Sequence, residues 1–292
     1  MRIELREAGF TYLQGTPFAS IALAGVSLCI QPGERIGITG PVGSGKSTLL
    51  ELLAGLRQPG TGSVYFDGLP AARGRKKTVP GPGRIGIAFQ SPESCLFEKT
   101  VIADVESGPR NLGINEAPAR ERAEAALKSM GLDPVRYGRR SPWSLSTGEQ
   151  RRVALAGLLA LEPEVLLLDE PSASLDPAAR ESLTGQLLKI NGKGVTIVIV
   201  GHDMDEMARF ARRLVIIDEG RLAADGPAAA LLTDTGLMER HSLEAPATVR
   251  LSGMLAQATG RPVPPFLTEA SAASFLLGLS RPPEPREPRR AP

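Results

Sequence analysis

The segment "RIGITGPVGSGKSTLLELLAGL" constrains this chain more than any other. Residues 40–48 fit the pattern G-x-x-x-x-G-K-[ST], preceded by a short apolar run and followed by a helix-spaced one, which is the context the pattern requires. Glycines let the backbone curl around phosphate oxygens with its N–H groups pointing inward, and the following helix N-terminus adds positive potential. Gly40, Pro41, Val42, Gly43, Ser44, Gly45, Lys46, Ser47 and Thr48 therefore read as a nucleotide's phosphate cradle. In it Lys46 reaches the β- and γ-phosphates, and the Ser47 hydroxyl ligates Mg²⁺.

A strand–loop–helix of this kind needs a sheet around it, and the chain supplies one. "EVLLLDE", "GVTIVIVGH" and "RLVIIDEG" are short continuous apolar runs separated by helical patterns, the mark of a buried, largely parallel sheet. "MRIELREAGFTY" alternates like a half-exposed strand, "ALAGVSLCI" follows as another, and "GSVYFDG" and "RIGIAFQ" come later. Residues 98–162 change character, being rich in Ala, Arg and Glu with the helical spacing of "APARERAEAALKSMGL" and "EQRRVALAGLLALE". Gly226-Pro227 marks a boundary, and the region from about 236 is mostly helical. "RPPEPREPRRAP" at the end is Pro-rich, charged and expected to be disordered.

Several polar residues stand where apolar strands end. Asp169 and Glu170 close "VLLLDE", a position that suits a metal ligand followed by a residue that polarises water, although an acidic pair can also simply solvate a strand end. His202 closes "VTIVIVGHD" and Gln90 closes "IGIAFQ". Either could be structural; beside a phosphate loop, His202 reads as a γ-phosphate sensor and Gln90 as a contact to Mg²⁺ or the attacking water. "SLSTGEQ" adds a different signal: Ser146 followed by Glu149 is a capping box that starts a helix.

Composition sets the frame. With 292 residues, 42% hydrophobic and 23% charged, the chain can bury a full core. Its 34 basic and 32 acidic side chains nearly cancel, giving no global electrostatic case for nucleic acid. The basic stretch "RGRKKTVPGPG" near 73–83 reads as a solvated loop, being short and without interleaved aromatics. Two cysteines, Cys29 and Cys95, imply no disulfide framework and fit a reducing cytosol. The start does not read as a signal peptide, and the aliphatic runs are too short to span a bilayer.

Taken in order, 40–47, Gln90, "LSTGEQ" at 145–150, Asp169-Glu170, "SLD" at 174–176 and His202 resemble the ATPase subunits of ABC transporters from residue 1 to about 230. "FQSPESCLFEKTV", "SPWSLSTGEQRRVALAGLLALEPEVLLLDEPSASLDP" and the tail "RHSLEAPATVRLSGMLAQATGRPVPPFLTEASAASFLL" narrow the similarity to the energy-coupling factor (ECF) branch, which includes cobalt- and nickel-type importers. This resemblance implies an α/β fold: a P-loop NTPase (RecA-like) core with a mostly parallel sheet, an N-terminal antiparallel β subdomain, an inserted α-helical subdomain and a small helical C-terminal extension. It implies an ATPase domain over 1–235 with the helical subdomain at about 93–160, an extension over 236–280, and a tail at 281–292.

It further implies ATP and Mg²⁺, with Ser47, Gln90 and Asp169 toward the metal and Glu170, His202, Lys46 and Gln90 catalytic. Tyr12 would stack on adenine, unless it only packs within its strand; Asp176 would organise a dimer interface, unless it only caps a helix. The implied dimer is head-to-tail, so that Ser146, Gly148 and Glu149 complete the site of a second ATPase subunit, the same or a related chain. The implied assembly adds an integral membrane T component, docked on "SPESCLFEKTV", and a substrate-binding S component, placing the chain on the cytoplasmic face of the membrane. Thr147, Cys95, Ser174 and Gly201 depart from the family pattern, and Thr147 stands where glycine would let phosphate approach most closely. The rival expectation is a non-transport ABC ATPase acting on nucleic acid or ribosomes, against which stand the single cassette and the near-neutral charge.

Overall fold

The computed structural model describes residues 1–71 and 80–279, so most of the basic loop and the end of the tail lie outside the described residues. The chain opens with β1 (Ile3–Tyr12), β2 (Ser20–Ile30) and β3 (Arg35–Thr39), then α1 (Lys46–Leu53), β4 (Thr61–Phe66), β5 (Leu69–Pro70) and β6 (Ile85–Ala88). Helices α2 (Val101–Asn111), α3 (Glu116–Ser129), α4 (Pro134–Tyr137) and α5 (Thr147–Leu159) follow. Next come β7 (Val165–Asp169), α6 (Pro177–Asn191), β8 (Thr196–Val200), α7 (Met204–Phe210), β9 (Arg213–Asp218) and β10 (Arg221–Pro227). Four helices end the described chain: α8 (Ala228–Thr233), α9 (Thr235–Arg240), α10 (Ala247–Thr259) and α11 (Glu269–Leu279).

Two sheets form. An antiparallel one runs β2-β1-β4-β5, and a six-stranded one runs β10-β9-β3-β8-β7-β6, parallel throughout except for the β10–β9 edge. The parallel strands are apolar on both faces because both faces are covered. Val165 and Leu167 of β7, Val198 and Val200 of β8, and Val215 and Ile217 of β9 join a core with α1 and the antiparallel sheet. The alternate residues Leu166, Leu168, Ile197, Ile199, Leu214 and Ile216 join the second core with the helices. The mixed α/β class expected from the sequence is what forms.

Gly226-Pro227 ends β10, which pairs with β9 at the edge of the six-stranded sheet. Pro227 needs no ladder N–H at the end of an edge strand, and the lack of β-branched and aromatic residues in Arg221–Pro227 hid the strand. Gln90 and His202 also stand two residues past the ends of β6 and β8 rather than within them. No helix among the described residues is long and apolar enough to cross a membrane.

Candidate active site

Because β3, β8, β7 and β6 are neighbouring and parallel, everything that leaves their carboxyl ends leaves on one edge of the sheet. In register, Ile38 lies beside Val200, Val200 beside Asp169, and Leu168 beside Ala88. The phosphate loop, His202, the Asp169-Glu170 pair and Gln90 thus meet although up to 162 residues separate them, counting from Gly40 to His202. Glu170 N donates to Val200 O (2.8 Å), and Gly201 N to Ile38 O (3.1 Å), locking the three exits together.

The loop itself depends on its first and last glycines. Gly40 has φ +151°, and a Cβ there would lie 1.9 Å from Ile217 O; Gly45 has φ +103°, and its Cβ would lie 2.3 Å from Ala22 O. Any side chain would push the loop off β9 or β2. Lys46 Nζ donates to the carbonyls of Gly40 (2.8 Å) and Pro41 (2.7 Å), so the ammonium sits inside the loop's curl. Burial holds its pKa below the ordinary lysine value, against the pull of Asp169 and Glu170. Asp169 moves the other way: burial, and then the neighbouring Glu170 carboxylate, push it up.

Ser47 Oγ donates to Asp169 Oδ2 at 3.4 Å, pairing the two groups that suit a hard divalent cation. A hydroxyl and a poorly compensated carboxylate fit Mg²⁺, which takes one or two protein ligands and completes its shell with water and substrate phosphates. Among the described residues no group of three or more His, Cys, Asp or Glu could hold a metal unaided.

Glu170 is flanked on both sides. His202 Nδ1 lies 2.7 Å from Oε1, and Gln90 Nε2 donates to Oε2 at 3.3 Å. A carboxylate only accepts, which places the proton on Nδ1 of the imidazole. Glu170 itself takes φ +47°, a conformation unusual for a non-glycine residue and of the kind found where a side chain must be aimed. Four residues on, Ser174 stands at φ +62°, the left-handed region that glycine enters at least cost.

The remaining residues fall into two groups. Tyr12 OH shares a 3.0 Å hydrogen bond with Thr48 Oγ1, tying the end of β1 to the first turn of α1. On α5, Ser146 Oγ accepts from Glu149 N (3.3 Å) and Ser146 N donates to Glu149 Oε2 (2.9 Å), completing the capping box; Tyr137 OH takes the other oxygen of Glu149 (3.0 Å). Ser146 and Thr147 are exposed, and no hydrogen bond or ion pair among the described residues joins residues 146–149 to the phosphate loop. Asp176 caps α6 by accepting from Ala179 N (2.8 Å).

Arg151 belongs to the site although no motif in the sequence marks it. It is 2% exposed, forks onto Glu93 with two 3.1 Å bonds, and donates to the carbonyls of Pro171 (3.2 Å) and Ala173. One guanidinium therefore joins α5, the turn after Gln90 and the loop after Glu170. Its place one helical turn before buried Leu155 was the available signal.

Comparison with known proteins decides the family. The ABC transporter family profile matches residues 23–173. An energy-coupling factor transporter ATP-binding protein (EcfA2) of Symbiobacterium thermophilum is 42% identical over 96% of this chain and 96% of its own length. The Clostridium perfringens EcfA2 is 38% identical over 84% of this chain and 87% of its own. The chain belongs to the ABC transporter ATPases, in their energy-coupling factor branch. Among solved structures, cbiO1 from C. perfringens, described as part of the ABC transporter complex cbiONQ, superimposes with a TM-score of 0.74 at 32% identity, covering 87% of this chain and 98% of its own. The ATP-binding cassette MJ0796, described as a dimer bound to ADP and Pi, gives 0.66 at 30% identity over 77% of this chain and 98% of its own. The protein is accordingly an ATPase, and ATP is its nucleotide.

Proposed function

We propose that this ATPase is the energy-coupling subunit of an ECF-type importer, seated on the cytoplasmic face of the cell membrane. It pairs with a second ATPase subunit, the same or a related chain, and drives a membrane T component and a substrate-binding S component. The cargo class is a vitamin or a transition-metal ion. In this reading 1–235 is the ATPase unit, 93–160 its inserted helical part and 236–280 its extension.

The position of Gln90 carries the proposal. At one end it hydrogen-bonds Glu170; at the other it lines an apolar groove of about 300 Å³ with Phe89, Pro92, Leu96, Phe97 and Leu158. A segment of the T component seated in that groove would press on a residue that also touches the hydrolytic carboxylate. Arg151 reinforces the link, since it ties Glu93, which stands between the groove residues Pro92 and Ser94, to the backbone just after Glu170. The dimeric description of MJ0796 supports the pairing, and the helix start at Ser146–Gly148, with Ser146 and Thr147 exposed, suits a phosphate that this subunit does not itself present to it.

Hydrolysis follows from the same geometry. Glu170, held by Gln90 and His202, accepts a hydrogen bond from water and aims it in line at the γ-phosphate. Lys46 and the loop N–H groups, with Ser146 and Gly148 of the second subunit, stabilise the charge that develops on the phosphoryl oxygens. Ser47 and Asp169, with Gln90 alongside, would hold Mg²⁺, whose positive charge would offset that of the phosphates. His202 holds the γ-phosphate, and Tyr12 receives the adenine.

Glu170→Gln tests the assignment. The amide keeps both flanking contacts in reach but no longer polarises water, so ATP binding and ATP-driven dimerisation are expected to persist while turnover falls by about 10²–10³. Phosphate release near the parent rate would remove Glu170 from its role. Isolation from membranes with integral partner proteins attached tests the transport half, which fails if none accompanies it.

A further inference from the structure

Tyr12 is the last residue of β1, and from Leu13 through Ile21 every residue is exposed. A ring at such a place would swing freely unless something held it, and three contacts do. Its hydroxyl meets Thr48 at 3.0 Å, and its ring meets that of Phe10 in a T-shaped pair at a centroid distance of 5.0 Å and 78°. The third is Arg57, whose guanidinium carbon lies over the Tyr12 ring at 5.1 Å and over Phe10 at 5.2 Å.

Arg57 is itself fixed. Glu51 on α1 forms an ion pair with it, and Arg57 N donates back to Glu51 O at 3.3 Å. The clamp thus begins and ends on the phosphate-loop helix: Thr48 grips the hydroxyl from the first turn, and Glu51 presents the guanidinium to the ring. An aromatic ring has two faces, each with negative potential. A planar cation laid over one of them fixes the ring plane, and with it the orientation in which the ring meets a flat base.

We infer that Arg57 is a positioning residue for the nucleobase, holding the Tyr12 ring at a set distance from the phosphate loop so that a purine and its triphosphate are engaged together. This rests on the reading of Tyr12 as the adenine platform. The residue acts on the base alone and leaves the phosphates to the loop.

The test uses the full chain with Mg²⁺, measuring displacement of a fluorescent ATP analogue by ATP and by inorganic tripolyphosphate, which has no base. Arg57→Ala is expected to weaken ATP about two- to fivefold, the size of an exposed cation–π contact, with the loss in KM rather than kcat and with tripolyphosphate unchanged. Arg57→Lys, which keeps a cation, restores part of the loss, and Glu51→Gln loses part of it. Unchanged or tighter ATP binding in Arg57→Ala overturns the inference, the latter because the guanidinium would then occupy the base's own face. An equal loss for tripolyphosphate overturns it too, since Arg57 would then act by holding α1 together. Tyr12→Ala separates the two readings. If it leaves ATP affinity intact, the platform itself is wrong and the inference falls with it; if it weakens ATP while Arg57→Ala does not, only the role of Arg57 fails.

Discussion

Glu206 shows how a single residue near the site can be set against the fold's stability. It is 3% exposed and lines a cavity of about 290 Å³ together with Glu170, Ser172, Arg180, His202 and Asp203. Burial pushes its carboxyl up; Ser172, Arg180 and Arg209 oppose the rise, and Asp203 adds to it. A group whose folded pKa lies above its unfolded value favours the folded state while protonated, and that support is lost as pH rises through the folded value. Glu206→Gln, which keeps the shape and a partner for Ser172, is therefore expected to melt higher than the parent by about 2–4 °C at pH 8, with the gap closing toward pH 4–5. Thermal scans across that range check it; a gap that widens toward acid would reverse the sign of the argument. Glu206 was invisible in the sequence for a plain reason. A Glu three residues after the cap Asp203 looks like an ordinary first-turn acid, and only the packing of α7 against the sheet buries it.

At the scale of elements, the turn that opens α5 would carry two separable duties under the proposed function. Ser146 and Glu149 start the helix, while Thr147, outside the box and exposed, would set how near the second subunit's phosphate can come. Thr147→Gly is expected to leave the cap intact, to cost no more than about 1 kcal/mol of stability, and to tighten ATP-driven dimerisation in a Glu170→Gln background severalfold. Sedimentation against ATP concentration measures it, and a weaker dimer would mean that the threonine methyl packs on the partner instead of obstructing it. Elements were also where the sequence was most readable. The parallel strands declared themselves as short runs of Val, Ile and Leu because both faces are buried, and the capping box was legible because its two residues lie three apart. What was hidden depended on pairing across long sequence distances. β10 is an edge strand short of β-branched and aromatic residues, and Arg151 meets Glu93, 58 positions away. The meeting of Gln90, Glu170 and His202 follows from strand order, which no local pattern encodes.

On the scale of the whole molecule, the C-terminal helices are not a detached appendage. Ala247 N, at the start of α10, donates to Asp205 Oδ1 on α7 at 2.8 Å, and His241 Nδ1 lies 2.7 Å from Asp218 at the end of β9. Between them, Ser242–Ala245 and Arg250 share a cavity of about 470 Å³ with Gly40, Pro41, Val42 and His202. The extension therefore borders the phosphate loop and the segment carrying His202, and whatever orders those two should be felt at residues 242–250. Hydrogen exchange reads this directly. In Glu170→Gln, ATP with Mg²⁺ is expected to slow exchange of the amides at 242–250 along with those of the phosphate loop. Asp205→Ala removes the acceptor that holds Ala247 N; since a bond to a charged group contributes about 1.5–3 kcal/mol, exchange at Ala247 should quicken at least about tenfold without nucleotide. The phosphate loop should meanwhile keep its own protection, because Lys46, Gly40 and Pro41 hold one another without help from α7. If ATP protects the loop but leaves 242–250 untouched, the shared cavity is only a gap between neighbours, and the extension answers to something other than nucleotide.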